Sequence, residues 1–192
     1  LVVVAAVLFF VFGTAATKLG YARKAAAGIA QEKGGRRGPG NALSKTSIPA
    51  LAAVFAATTG YPELFALALA GAFATAAFDT VSSEVGKAYG RRTYLITTLR
   101  SVPRGTDGAV SLEGTVSGMA AALLLAGLGA ALDLYPAAGI GAVAVAAFLA
   151  TTLESVVGAT LEKRGLLDNE AVNVLNSLAG ALLAAAGGAL LL

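Results

Sequence analysis

Basic residues occur only in alternate gaps between the long apolar runs of this chain, and this pattern restricts the fold. Among its 192 residues, all 14 lysines and arginines lie within residues 18–45, 87–104 and 163–164. The gaps around residues 61–63 and 133–136 carry none. Because cytoplasmic loops of membrane proteins are enriched in lysine and arginine, the alternation predicts a membrane topology and its orientation. We therefore expect the polar residues on the cytoplasmic, or stromal, side.

The apolar runs predict an all-α membrane protein, a polytopic helical bundle formed by a single transmembrane domain over residues 1–192. Apolar residues make up 57% of the chain and charged residues 13%. A helix needs about 20 residues to cross a hydrocarbon core of about 30 Å. We predict about six spans, with the second and third joined in a tight hairpin, at residues 1–17, 46–60, 62–79, 115–132, 136–158 and 170–192. Because the chain begins inside an apolar run without a methionine, we expect upstream helices to be missing.

The composition also excludes several kinds of chemistry. The chain has no cysteine and no histidine, which excludes disulfides, thiol catalysis, imidazole bases and the usual zinc sites. The net charge of +3 lies in the loops, which favours anionic ligands and the membrane surface over nucleic acid. Small residues at four-residue spacing, Gly180, Ala184 and Gly188, let helix backbones approach closely. We expect this ridge to pack the bundle, and a homodimer contact is the alternative.

Two segments of the chain suggest a parallel internal repeat. Each begins with Tyr-Pro and an apolar helix, continues with TVSSEVG at residues 80–86 or TLESVVG at 152–158, and ends in a basic pair. Both helices would run from outside to inside, so the repeat axis would lie along the membrane normal. The alignment matches Ser82 with Glu154. Chance similarity between alanine-rich helices is the alternative.

Two loops have the composition of phosphate-binding segments. Residues 33–41, KGGRRGPGN, combine glycines, whose backbone N–H groups can converge on an anion, with arginines that bind phosphate through a forked geometry. The pattern is not a P-loop, and a flexible basic loop is the alternative. Residues 100–115, RSVPRGTDGAVSLEGT, are rich in Gly and hydroxyl residues. Because so long a loop is usually functional or disordered, we expect an ordered binding loop capping the next helix.

A carboxylate marks the inner end of the third predicted span. Asp79, Ser83 and Gly86 share one helical face. A carboxylate where a helix leaves the hydrocarbon is costly unless it is paired or liganded. Asp79 is therefore a candidate ligand for Mg²⁺, which prefers carboxylate and phosphate oxygens. A structural ion pair with Arg91 or Arg92 is the alternative.

Further polar side chains lie in the last two predicted spans. Glu154 has no basic neighbour in sequence, so it should find a partner inside the bundle; a neutral Glu bonded to Ser or Thr is the alternative. Asn169, Asn173 and Asn176 lie close to one helical face, which we expect to meet polar partners rather than lipid. Capping of the helix is the alternative for Asp168 or Asn169.

All these groups are expected at one membrane interface. Basic, glycine-rich loops beside membrane-edge carboxylates suit a polar phosphate donor from the cytosol and a lipid acceptor from the bilayer. In phosphoryl transfer the protein chiefly positions groups and neutralises charge with metal and basic side chains. A transporter would more naturally place coupling residues near the midplane on broken helices. The residue types therefore fit phosphoryl transfer without identifying it.

Six stretches carry a family resemblance. They are residues 18–41, from KLGY to GPGN, FDTVSSEVG at 78–86, VPRGTDGAVSLEGT at 102–115, TLES at 152–155, LDNE at 167–170 and NVLN at 173–176. Together they resemble the integral-membrane phytyl-phosphate kinase family. This resemblance implies a multi-helix kinase that phosphorylates an isoprenyl monophosphate to the diphosphate with a nucleoside triphosphate, expected to be CTP. Family members in plastids and photosynthetic bacteria salvage phytol for tocopherol or quinone synthesis.

These interpretations assign roles to individual residues. We expect Asp79, Glu84 and Glu113 to hold Mg²⁺ and Glu154 to act with them in catalysis. The expected nucleotide- and phosphate-binding residues are Lys33, Arg36, Arg37, Asn41, Ser83, Lys87, Arg91, Arg92, Arg104, Ser111, Asn169, Asn173 and Asn176. Membrane lipids, an isoprenyl phosphate and the nucleotide are the expected partners. A CTP-dependent prenol kinase, a lipid cytidylyltransferase and a carrier of a phosphorylated lipid or anion are the alternatives.

Overall fold

A computed structural model of the chain describes residues 2–190, apart from the side chains of residues 2, 32 and 33. The elements in chain order are α1 Val2–Lys18, α2 Tyr21–Ala26, α3 Glu32–Gly35, α4 Pro39–Thr58, α5 Pro62–Tyr89, β1 Thr93–Leu95, β2 Ala109–Ser111, α6 Leu112–Ala131, α7 Gly139–Val157, a π-helical turn Gly158–Glu162, and α8 Asn169–Ala189. The two short strands pair antiparallel. The all-α class is confirmed.

Local sequence explains where several helices begin. Pro39 and Pro62 are the first residues of α4 and α5, where a fixed φ suits the helix and a missing N–H costs nothing. The Ser111 hydroxyl accepts a hydrogen bond from the backbone N–H three residues on, and this caps α6. Asp168 caps α8 in the same way, with a hydrogen bond of 2.8 Å. Both caps agree with the roles considered from sequence.

Among residues 2–190, four helices are long and apolar enough to cross a membrane: α5, α6, α7 with its π-helical turn, and α8. Helix α1 contains a shorter apolar helix. Two helices extend beyond the predicted spans. Helix α4 begins at residue 39 rather than 46, and α5 continues to residue 89 rather than 79. The prediction followed the edges of the apolar runs, whereas Pro39 starts one helix and Gly90 follows the end of the other. Residues 1, 191 and 192 of the predicted spans lie outside the described residues.

Helix α5 forms the centre of the bundle, and small residues allow α8 to pack closely against it. Residues 66–78 of α5 are buried without interruption. A side chain added at Gly71 would collide with Gly180 and Ala184, and one added at Gly188 would collide with Leu67. Such contacts require glycine where two backbones approach. The ridge on α8 therefore packs inside the bundle, as predicted.

The two ends of the bundle differ in character. At one end α5 and α7 finish, α6 and α8 begin, and the loops are rich in charge. At the other end Tyr135 lies buried between α6 and α7, and its hydroxyl donates to the Ala126 carbonyl at 2.8 Å. Burial raises the pKa of Tyr135 to about 12. The polar end is the one that holds the candidate site.

Candidate functional site

A cavity of about 270 Å³ opens at the polar end of the bundle. Helices α4 to α8 and the segment between β1 and β2 all contribute to its wall. Its apolar wall includes Phe78 and Phe148, whose rings meet edge to face at 6.2 Å. The charged and amide side chains that line it are Gln31, Arg37, Asn41, Lys45, Asp79, Glu84, Lys87, Asp107, Glu154, Glu162, Asn169 and Asn173. The cavity thus combines cations with carboxylates.

A buried lysine and an aspartate form the first ion pair at this cavity. Lys45, on α4, is only 2% exposed and forms an ion pair with Asp79 on α5. It also donates to the Thr80 hydroxyl at 2.8 Å. An ammonium group has three N–H donors. Within the described residues, Lys45 has two acceptors, the Asp79 carboxylate and the Thr80 hydroxyl. Lys45 therefore keeps one donor for a ligand in the cavity.

A second ion pair has all its donors and acceptors satisfied by protein atoms. Lys24, on α2, is completely buried and forms an ion pair with Glu84. It also donates to the carbonyls of Ala16 at 3.2 Å and Thr17 at 2.8 Å. Arg37 approaches the other oxygen of Glu84 at 3.2 Å. All three Lys24 donors and both Glu84 oxygens are occupied, so this cluster ties α1, α2 and the first loop to α5.

Glu154 finds its partners inside the bundle. The Asn176 amide on α8 donates to Glu154 Oε2, and Asp79 lines the same cavity. One turn nearer the start of α8, the Asn173 amide donates to Asn169 at 3.0 Å. The expectation that Glu154 has an interior partner is confirmed. The asparagine face of α8 meets polar groups, also as predicted.

The segment between β1 and β2 covers part of the cavity. Residues 105–108 of this segment contribute to the cavity wall, and so does β2. A side chain at Gly108 would collide with the Ser155 carbonyl, and φ of Gly108 is 73°, so glycine allows the close approach to α7. Arg104 donates to the Ala88 carbonyl at 3.2 Å, and Arg23 reaches the same carbonyl at 3.3 Å. These arginines hold the central segment and α2 at the end of α5.

The structure brings many, but not all, of the predicted site residues together. Those at the cavity are Arg37, Asn41, Asp79, Ser83, Glu84, Lys87, Ser111, Glu154, Asn169 and Asn173. Those outside its lining are Arg36, Arg91, Arg92, Arg104, Glu113 and Asn176. Although Asn176 lies outside the lining, its amide donates a hydrogen bond to Glu154, which does line the cavity. Instead of facing the cavity, Glu113 accepts a hydrogen bond from the Arg91 backbone N–H at 3.3 Å. The Lys33 side chain lies outside the described residues.

Sequence reasoning missed the two lysines that matter most. Lys45 was counted only as a loop charge, and an ion pair of Asp79 with Arg91 or Arg92 was considered as the alternative to a Mg²⁺ site. Both arginines are exposed, and Lys45 takes that place. The sequence signal that could have identified Lys45 is Pro39. A helix that begins at Pro39 places Lys45 in its second turn, next to an apolar run. Lys24 had no comparable signal, because its partner is 60 residues away.

Fold and site together define a class: a polytopic α-helical membrane protein with a polar cavity of mixed charge at one end. The chain belongs to the family described as Integral membrane protein DUF92, which it matches over residues 1–181. This confirms the family membership recognised from the sequence motifs. No solved structure matches the chain.

Three curated relatives show how widely this sequence pattern occurs. The chain is 49% identical to an uncharacterized membrane protein of Synechocystis sp., over 92% of the chain and 69% of that protein. It is 40% identical to Protein VTE6, chloroplastic, of Arabidopsis thaliana, over 92% of the chain and 55% of that protein. It is 32% identical to an uncharacterized membrane protein of Methanocaldococcus jannaschii, over 91% of the chain and 71% of that protein.

Proposed function

We propose that this protein is a phytyl-phosphate kinase, which transfers the γ-phosphate of a nucleoside triphosphate, CTP, to phytyl phosphate. The observation that carries the proposal is the buried Lys45, which lines the cavity beside Asp79 with one donor free. A buried lysine with an unused donor suits a ligand that brings negative charge, and phosphate is such a ligand. The motif resemblance supports the isoprenyl phosphate as acceptor.

Two further cations at the cavity suit the phosphates of a nucleotide. Arg37 is anchored to Glu84 through one guanidinium nitrogen, and its Nε has no hydrogen-bond partner within the described residues. An anchored guanidinium can present its remaining donors to phosphate oxygens in a fixed geometry. Lys87 lines the cavity one helical turn beyond Ser83. We assign these two side chains to the donor phosphates.

The lining also fits Mg²⁺. Among the described residues, no group of three acidic, histidine or cysteine side chains could hold a metal by itself. Mg²⁺ does not require such a cage, because it commonly binds one or two carboxylates, several waters and substrate phosphates. Asp79 is the carboxylate we expect to bind it. When bound, Mg²⁺ would neutralise charge on the phosphates being transferred.

The transfer needs little covalent chemistry from the protein. A phosphate oxygen of phytyl phosphate attacks the γ-phosphorus of the nucleotide, and the bond from that phosphorus to the bridging oxygen breaks. The products are phytyl diphosphate and the nucleoside diphosphate, which takes the electron pair of the broken bond. Because the nucleophile is already anionic, no general base is required. The protein positions the two phosphates and balances their charge with Lys45 and Arg37.

The apolar wall supports a lipid acceptor. Phe78 and Phe148 line the cavity, and Phe148 is 39% exposed. An isoprenyl tail could lie against this aromatic pair while its phosphate remains among the polar groups. The lipid substrate would then enter the cavity from the cytoplasmic, or stromal, leaflet, because the basic loops predict that the polar end lies on that side.

The test is a reaction of the purified protein in detergent with phytyl phosphate, Mg²⁺ and each nucleoside triphosphate, followed by mass spectrometry. We expect phytyl diphosphate from the wild type and a loss of at least about 100-fold in Asp79→Asn. Asp133→Asn is the matched control, because Asp133 is exposed in the loop at the opposite end. It should retain wild-type activity.

Two further measurements separate the alternatives. Label from γ-labelled CTP should appear in the lipid, whereas label from α-labelled CTP in the lipid would indicate a cytidylyltransferase. Product formed from free phytol would indicate a prenol kinase. Uptake of a phosphorylated lipid into liposomes without nucleotide consumption, unchanged in Asp79→Asn, would indicate a carrier and contradict the kinase proposal.

A further inference from the structure

The carboxylates at this end of the bundle differ in their freedom to bind a cation. Both oxygens of Glu84 are occupied, by Lys24 and Arg37. Glu113 lies outside the cavity lining. Asp79 and Glu154 both line the cavity, one from α5 and the other from α7. This pair is the best-placed anionic group in the described part of the chain.

The pair also has spare oxygens and an excess of negative charge. Lys45 reaches Oδ2 of Asp79 and Asn176 reaches Oε2 of Glu154. Within the described residues, Oδ1 and Oε1 accept no hydrogen bond from a lysine or an amide. Two carboxylates at one cavity repel one another strongly when both are ionised and the dielectric constant is low. Lys45 compensates only one of them, so a second positive charge would stabilise the pair.

An independent observation points to a ligand at the same place. Thr151 is 8% exposed, lines the cavity, and its Oγ1 has no hydrogen-bond partner within the described residues. It precedes Glu154 by three residues, so the two side chains lie on the same face of α7. Buried hydroxyl groups nearly always have a partner. A bound cation, or a water molecule bound to that cation, would provide the missing partner of the Thr151 hydroxyl.

We propose that Asp79 and Glu154 form a divalent-cation site, with the Thr151 hydroxyl binding the cation or one of its waters. The proposal rests on the proposed kinase function only for the identity of the cation as Mg²⁺. Two carboxylates and a hydroxyl leave several positions for water and phosphate oxygens, which matches the preference of Mg²⁺. Lys45 and Asn176 hold the two carboxylates in place, as hydrogen-bonding partners of metal ligands commonly do.

The test measures Mn²⁺ binding without nucleotide or lipid phosphate. Full-length protein in detergent is titrated with Mn²⁺, and free Mn²⁺ is followed by electron paramagnetic resonance. We expect the wild type to bind one Mn²⁺ that Mg²⁺ displaces. Asp79→Asn and Glu154→Gln should each weaken binding by at least about ten-fold, and Thr151→Val by a smaller factor that Thr151→Ser restores. Glu63→Gln, at the opposite end of α5, is the matched control.

The outcomes distinguish this site from the kinase function. Wild-type Mn²⁺ affinity in Glu154→Gln, or a loss of affinity in Glu113→Gln instead, would overturn the proposal even if the protein makes phytyl diphosphate. Loss of binding in Glu154→Gln by a protein that converts no isoprenyl phosphate would support the cation site and refute the kinase function. If Glu154→Gln elutes as an aggregate, Thr151→Val decides: unchanged Mn²⁺ affinity in that variant would overturn the proposal.

Discussion

The cluster of Lys24, Glu84 and Arg37 should contribute more to stability than any other polar group at this end of the bundle. Glu84→Gln would leave the fully buried Lys24 ammonium without its counter-ion. Removing one partner of a buried ion pair costs about 3 to 5 kcal/mol. Lys24 keeps its two carbonyl acceptors, and Arg37 is partly exposed to solvent, so the lower end applies. We expect a loss of about 3 kcal/mol.

The assay is thermal unfolding in detergent, followed by size-exclusion chromatography of the heated samples. For a chain of this length, a loss of about 3 kcal/mol corresponds to a melting temperature lower by roughly 6 to 12 °C. Asp79→Asn is the comparison, because Lys45 keeps the Thr80 hydroxyl and faces a cavity. It should lose less than about 2 kcal/mol.

A double variant separates an uncompensated charge from poor packing. Combining Lys24→Met with Glu84→Gln removes the buried ammonium together with the carboxylate. Replacing both members of a buried pair is often nearly neutral, so the double variant should recover at least half of the stability lost in Glu84→Gln. Equal losses in Glu84→Gln and Asp79→Asn, or no recovery in the double variant, would refute the view that Glu84 is structural.

Further predictions concern packing, capping and the opposite end. Gly180→Val should prevent close packing of α8 on α5 and yield aggregated protein in size-exclusion chromatography, whereas Gly127→Ala, with no heavy atom within 4 Å of its added Cβ, should not. Ser111→Ala removes the α6 cap and should cost about 1 kcal/mol, measured as a lower melting temperature. Tyr135→Phe should lose about 1 kcal/mol. Burial raises the pKa of Tyr135 to about 12. Its contribution should therefore be complete below about pH 10 and fall as the pH rises towards 12. The difference in melting temperature between wild type and Tyr135→Phe should shrink as the pH rises above about 10.

The sequence predicted the all-α class and the order of the long helices, because it carried two independent signals. The length of each apolar run predicted where a helix lies. The distribution of Lys and Arg predicted which helix ends share one side of the membrane. It also predicted that Asp79, Glu154 and the asparagines of α8 would meet, since each lies at the same end of its helix. Helix ends were less certain because polar residues can remain helical beyond the apolar run, as residues 80–89 of α5 do.

The sequence could not predict which basic residues turn inward. A loop lysine and a buried lysine satisfy the same topology rule, and only the packing of α2 and α4 against α5 brings Lys24 and Lys45 to their carboxylates. The predicted internal repeat between α5 and α7, a homodimer and the single-domain organisation stay predictions. Ser82 and Glu154, which the repeat would align, both line the cavity.

The two buried lysines show how one arrangement can serve two purposes. Each is paired with a carboxylate of α5, and the two carboxylates lie five residues apart on that helix. Lys24 has all three donors satisfied by protein atoms, so a ligand could reach it only by breaking a buried ion pair. Lys45 has two donors satisfied within the described residues, and it lines the cavity together with Asp79 and Glu154. A site that binds an anion together with a cation requires this incomplete arrangement, since a fully satisfied lysine would have nothing left to donate.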